Sequence, residues 1–199
     1  MSPEAALPLR SNARRNRERI LDVAHVALTA SADASLNSIA KQAGVGIATL
    51  YRHFPTREAL VLEVYRHEVH QLADLAPALL ATHEPIDALR AWMDQLARYG
   101  MTKAGLADTL NAAGTSHDAL AAESYGPVIG ALSLLLQTNE DAGTIRVGLD
   151  PDDVLLILGF LWRIDPKTDW AARAARLLDV IIDGLRADTP GPRTPSVPH

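Results

Sequence analysis

Apolar residues in this chain recur every three or four positions, and no stretch shows a clear alternation of apolar and polar residues. That is the period of a helix buried along one stripe, not of a strand with one face in water. Composition agrees: Ala (33 residues) and Leu (29) dominate the 199 residues, and aromatics make up only 5%. Ala and Leu are strong helix formers. The expected fold is all-α. The length suits one or two domains able to bury a core without covalent staples. Cys is absent, which excludes disulfides, thiolate zinc sites and Cys nucleophiles. The most apolar run, Val154–Trp162, is too short for a membrane span. The opening MSPEAALPLR lacks the basic, apolar and small-residue order of a signal peptide. A soluble cytoplasmic protein with no membrane partner is expected.

The formal net charge of −5 argues against a nucleic-acid partner, but its distribution argues for one. Arg10, Arg14, Arg15, Arg17, Arg19, Lys41, Arg52 and Arg57 give the first 60 residues a basic excess, and the remainder is acidic. A basic front on an acidic body implies that one end meets a polyanion. A merely solvated charged helix is the plainer alternative.

Residues 1–11 read as a loose arm. Arg14 to Ala30 reads as a helix with Ile20, Val23, Ala24, Ala27 and Leu28 facing inward. This puts its arginines at the positive end of the helix dipole, an unfavourable place unless a phosphate lies beside them. Ser35 can cap Leu36–Ala43, and Gly44 can end that helix. Ile47–Phe54 follows, Pro55 breaks the chain, and Thr56 can cap a helix from Arg57 to about Leu75. Further helices are expected from Pro85 to near Gly100, over Thr102–Leu110, and from His117 to near Thr138. Ser116 would cap the last of these, and Gly126, Pro127 and Gly130 would be its kink points. The sequence Asp150-Pro151-Asp152-Asp153 is a strong helix start. It introduces Val154–Ile164, and Trp170–Leu185 is the final helix. The expected domains are 1–60 and 61–187, meeting inside a helix near Val61–Tyr65. The proline-rich tail 188–199 is expected to be disordered.

The stretch Ser35–Val61 reads as a helix-turn-helix. Ala43 is small where the helices cross, Gly44 permits the tight turn, and Val45 and Leu50 are apolar plugs. Phe54 belongs to the core. Ile47, Ala48, Thr49, Tyr51, Arg52 and His53 remain outward, on a helix that fits a DNA major groove. Arg52 is the foremost candidate for a base contact, because arginine pairs bidentately with guanine. Arg14, Arg15 and Arg17 are candidates for phosphate contacts.

These residues resemble the TetR family of bacterial transcriptional regulators. The likeness runs from about Arg15 to Val64, through ILDVAHVAL, SIAKQAGV and TLYRHFPTREAL. It implies an N-terminal three-helix helix-turn-helix domain and a C-terminal helical ligand-binding and dimerisation domain. It also implies that Thr49 and Tyr51 contact the DNA backbone, and that Arg57 stands where a phosphate-binding Lys is usual. Ile47, Ala48, Arg52 and His53 would help read bases, and Ser35, Asn37 and Ser38 would also touch DNA. Gly46 departs from the family's frequent Ser cap and loses one phosphate hydrogen bond. The expected function is a repressor released from a pseudo-palindromic operator by a small-molecule effector. Its partners would be double-stranded operator DNA and a second copy docked through the last two helices. Effector-lining candidates are Trp92, Met93, Leu96, Tyr99, Met101, Leu110, Tyr125 and Phe160, with Asn111, Thr109, His117 and Arg163 as polar groups. For each aromatic, plain core packing is the simpler alternative. No cofactor is expected.

Two other classes fit the sequence less well. His67, His70 and Asp74, with Glu63 and Glu68 nearby, have metal-like spacing, but HEVH is not HExxH and no second cluster completes a site. Gly44-Val45-Gly46 follows a helix rather than a strand, so a dinucleotide loop is rejected. An enzyme is therefore not expected. A DNA-binding regulator without a small-molecule switch, whose body serves protein partners, is the nearer alternative.

Overall fold

The computed structural model describes residues 6–31, 33–112, 117–165 and 167–187, with side chains over 14–31, 33–101, 122–165 and 167–187. The tail 188–199, the Ser116 cap and the side chains of Thr109, Leu110, Asn111 and His117 lie outside the described residues. Among those described, the chain forms α1 (Ala6–Ala30), α2 (Leu36–Gln42), α3 (Ile47–His53), α4 (Arg57–Leu80), α5 (Pro85–Ala112), α6 (His117–Asp141), α7 (Pro151–Leu158) and α8 (Trp170–Leu185). A 3₁₀ turn, Gly159–Arg163, follows α7. The only extended pairing among the described residues is an isolated antiparallel bridge between Ile145 and Arg186. The fold is all-α, and no described helix is long and apolar enough to cross a membrane.

Four element boundaries differ from the sequence reading. α1 begins at Ala6, so the helix takes in residues assigned above to the arm. Pro8 stands in its first turn, where a missing N–H has no partner to lose. Arg14 then lies beyond the second turn, and the dipole argument for a nearby phosphate loses its premise, because that field fades within the first turn. α4 continues through Pro77 to Leu80. Proline removes one backbone hydrogen bond, but the Ala and Leu residues around it favour continuation. α5 absorbs the separate helix expected at Thr102–Leu110, because an interior glycine at 100 weakens a helix by only about 1 kcal/mol and does not break it. α7 stops at Leu158, where Gly159 is the C-cap, and the next five residues tighten into 3₁₀ geometry.

The chain divides into two compact units, one from residues up to 70 together with 101–124, the other from 71–100 together with residues from 125 onward. In the first, α1 packs on α2 and α2 on α3. Its core is Ile20, Leu21, Ala24 and Leu28 of α1, Ile39, Ala40 and Ala43 at α2, Leu50 and Phe54 at α3, and Leu60, Val61, Val64 and Tyr65 of α4. Leu21 was not among the inward positions expected for α1. In the second unit, polar pins accompany an apolar core that includes Leu89, Trp92, Leu132, Leu135, Leu158 and Leu178. Trp92 Nε1 donates to Leu72 O at 2.8 Å. Asn139 Nδ2 donates to Pro85 O at 2.8 Å and Leu135 O at 2.9 Å, while its Oδ1 accepts from Thr144 Oγ1 at 2.7 Å. The buried amide thus satisfies its own polar atoms while tying the start of α5 to the end of α6.

Candidate nucleic-acid interface

The first unit contains every residue assigned above to DNA, and the turn between α2 and α3 sets their presentation. Ser35 Oγ accepts from Ser38 N at 3.1 Å and caps α2. At the other end, Val45 N reaches Ala40 O at 3.0 Å and Gly44 N reaches Lys41 O at 3.1 Å. Together these bonds form a Schellman motif, which needs a left-handed residue after the cap. Gly44 provides it with φ +64°. Gly46 opens α3 without a side-chain cap, as its lack of a side chain requires.

On α3 the inward position belongs to Leu50, which has no exposed surface. Replacing such a plug by Ala typically costs about 2–5 kcal/mol. Ile47, Ala48, Tyr51 and Arg52 are exposed, and Thr49 and His53 are half-buried. Arg52 runs back along its own helix, donating from Nη2 to Thr49 Oγ1 at 3.0 Å and from Nε to Ala48 O at 3.3 Å. Ser35, Asn37 and Ser38, at the start of α2, are exposed as well.

The basic candidates outside α3 differ in how their charge is used. Arg14 and Arg15 are exposed, and Arg14 pairs with Glu18 one turn on. Arg17 is half-buried, its Nη2 meets Glu63 Oε2, and its guanidinium lies 5.3 Å above the Phe54 ring. Arg57 is half-buried and donates to Ala34 O at 2.6 Å. By spacing alone Glu63 is a neighbour of the metal-like residues His67 and His70. The structure makes it an arginine anchor, taking Arg66 Nη1 on Oε1 at 2.8 Å as well as Arg17. Its i, i+3 spacing to Arg66 was the legible signal. Burial pushes the Glu63 carboxyl upward, but hydrogen bonds from Arg66 and Arg17 and their charges outweigh it and hold the group below the ordinary range. His67 faces Asp22 at 3.1 Å, and His25 Nδ1 faces Glu68 Oε1, so these residues join α1 to α4. Among the described residues no group of three or more His, Asp or Glu side chains is placed to hold a metal ion.

The effector candidates do not gather in one unit. Trp92, Met93, Leu96 and Tyr99 are buried in the second unit, where Phe160 is half-buried and Tyr125 and Arg163 are exposed, while Met101 falls in the first.

An exposed recognition helix, joined by a glycine turn to a capped helix and held over a three-helix core by an apolar plug, defines a helix-turn-helix protein. The N-terminal model for bacterial regulatory proteins of the tetR family matches residues 20–64. The model for the C-terminal domain of SbtR-like transcriptional regulators matches residues 84–187. A crystal structure of a TetR transcriptional regulator from Streptomyces coelicolor is 40% identical, covers 87% of this chain and 99% of its own, and superposes with a TM-score of 0.78. A TetR regulatory protein from Mycobacterium vanbaalenii is 34% identical over 90% of this chain and 99% of its own, with a TM-score of 0.74. An HTH-type transcriptional regulator of Staphylococcus aureus is 36% identical over 63 residues, which are 31% of this chain and 34% of that protein. The chain belongs to the TetR family of transcriptional regulators.

Proposed function

We propose that this chain is a homodimeric repressor that places two copies of α3 in successive major grooves of a pseudo-palindromic operator and leaves DNA when a small molecule binds its second unit. The observation that carries the DNA reading is the division of α3 into one sealed residue, Leu50, and an open edge of Ile47, Ala48, Tyr51 and Arg52. Arg52 would read a base, Thr49 and Tyr51 would take the backbone, and Ser35, Asn37 and Ser38 would flank the groove. Arg57, Arg14 and Arg15 would supply positive charge toward phosphates.

Support for the dimer comes from α7, the 3₁₀ turn and α8. There Leu156 (78% exposed), Ile157, Trp162, Leu177 and Val180 (69% exposed) present apolar surface that a second copy would cover. Family membership supports effector release. The switch would be a population shift acting through α4, which supplies residues to both units, and changing the separation of the paired recognition helices.

Selection of bound sites from random duplex DNA tests the reading. The expected result is a pseudo-palindrome whose half-sites lie one helical turn or a multiple apart, bound with steep salt dependence. No enrichment at low salt overturns it.

One observation favours a regulator whose second unit serves a protein partner instead. Trp92, Met93 and Leu96 have no exposed surface, and the Trp92 N–H is already committed to Leu72. Operator affinity measured across a small-molecule panel separates the two readings, because only the first expects a compound that weakens binding.

A further inference from the structure

Arg17 lies among the arginines expected to take phosphate, yet its guanidinium is committed inside the first unit. Nη2 meets Glu63 Oε2 of α4, and Cζ lies 5.3 Å above the ring of Phe54. Phe54 closes the recognition helix: it is the C-cap of α3, and its N–H reaches Leu50 O at 2.8 Å. Glu63 is itself held. Its Oε1 accepts from Arg66 Nη1 at 2.8 Å, and Arg66 forks onto Glu123 of α6 through Nε at 2.6 Å and Nη2 at 3.3 Å. Beside that fork, Tyr65 OH and Ser124 Oγ hydrogen-bond at 3.1 Å. Charges from three helices thus alternate in sign along Glu123, Arg66, Glu63 and Arg17, and the series ends on the ring that caps α3.

We propose that Arg17 is a positioning residue for the recognition helix: it fixes Phe54, and with it the C-terminal end of α3, and takes no DNA phosphate. The inference rests on the reading of α3 as a DNA-binding helix. Two physical arguments support it. A planar guanidinium over an aromatic face, with one edge on a carboxylate, is directionally fixed in a way a solvated side chain is not. A phosphate approaching Arg17 would also meet Glu63, which is ionised at neutral pH and repels a second anion on the same donor.

The test is a salt titration of operator binding by the full chain and by Arg17→Gln, Arg17→Lys and Glu63→Gln. Each phosphate contact contributes about 0.9 to the slope of log K against log salt concentration. Arg17→Gln is expected to weaken binding roughly tenfold with the slope unchanged, because an ordered end of α3 is lost and no counterion-releasing contact is. Arg17→Lys keeps the charge but loses the flat face, so it is expected to stay as weak as Arg17→Gln. Glu63→Gln is expected to weaken binding too, and the Arg17→Gln/Glu63→Gln double variant to be no weaker than the weaker single, since the two act as one unit. A slope reduced by about 0.9 in Arg17→Gln, or wild-type affinity in Arg17→Lys, overturns the inference alone. Tighter binding by Glu63→Gln does so too, by showing that a released Arg17 seeks DNA. Should Arg17→Gln not fold, the other two variants decide by the same criteria. A wild-type chain that binds no duplex overturns the DNA reading itself, a result distinct from the others.

Discussion

Arg57, the first residue of α4, donates from Nη1 to the carbonyl of Ala34 at 2.6 Å, so one side chain joins the start of α4 to the residue before the cap of α2. The tie holds the base of the helix-turn-helix while leaving the guanidinium only half-buried. Arg57→Ala is expected to weaken binding to every sequence alike and to lower stability by about 0.5–1.5 kcal/mol for the lost hydrogen bond. Affinities for a panel of single-base operator variants, alongside urea unfolding, check both parts. A changed order of preference among the variants counts against this assignment.

Arg52 behaves differently. Its bonds to Ala48 O and Thr49 Oγ1 stay within one turn of α3, where docking can exchange them for a base edge. Arg52→Ala is expected to flatten preference at one position in each half-site by about 1–3 kcal/mol. Repeating the random-site selection with this variant measures it, and an unchanged consensus refutes the contact.

The helix-turn-helix was legible because its determinants are local. Ser35, Gly44, Pro55 and Thr56 act on their immediate neighbours, and Leu50 lies one helical turn after Ile47 and is the one buried residue of a seven-residue helix. Ile39, Ala40, Ala43 and Phe54, also read as inward, are all buried. What was not legible depends on distance along the chain. Glu63 and Arg17 are 46 residues apart, and Arg66 and Glu123 are 57 apart, so no spacing rule could join them. Helix ends were misjudged where glycine or proline sat inside a helix whose neighbours favour continuation, as at Gly100 and Pro77. The 3₁₀ turn after Leu158 was missed because apolarity all round a segment carries no period by which to distinguish the two helix types.

The exposed apolar surface of α7 and α8 makes an oligomeric prediction. Leu156 and Val180 are the most open of its large residues, so substituting them removes little from the core of one subunit. A Leu156→Glu/Val180→Glu double variant is expected to leave unfolding of the subunit nearly unchanged and to shift the population to monomers, with operator affinity falling accordingly. Light scattering at fixed concentration reads the first effect. A variant that stays dimeric places the interface elsewhere.

Asn139 tests whether the second unit depends on polar pins as well as on apolar packing. Its side chain has no exposed surface and serves Pro85 O, Leu135 O and Thr144 Oγ1. Asn139→Ala leaves those groups to find other partners in a buried site, so a loss of about 1–3 kcal/mol is expected. Denaturant unfolding measures it. A loss under about 0.5 kcal/mol would mean that water replaces the amide.

Two groups joining α1 to α4 make stability depend on pH with the same sign in separate windows. Burial holds His25 below its usual value, Asp22 pulls it back up, and the charge of His67 pushes it down. Between the folded value and about 6.5 the unfolded chain therefore binds more protons than the folded one, and stability rises with pH until it levels above that range. Glu63 is also depressed, so its contribution is complete above the ordinary carboxylate range and is lost as pH falls through its folded value. The urea midpoint is expected to fall in two stages on acidification, His25 giving the upper and Glu63 the lower. His25→Gln should remove the upper stage and leave the lower one, whereas Glu63→Gln should do the reverse. A midpoint that climbs as the pH drops from about 7 to about 5.5 contradicts the burial argument for His25 and gives its contact with Glu68 the larger effect.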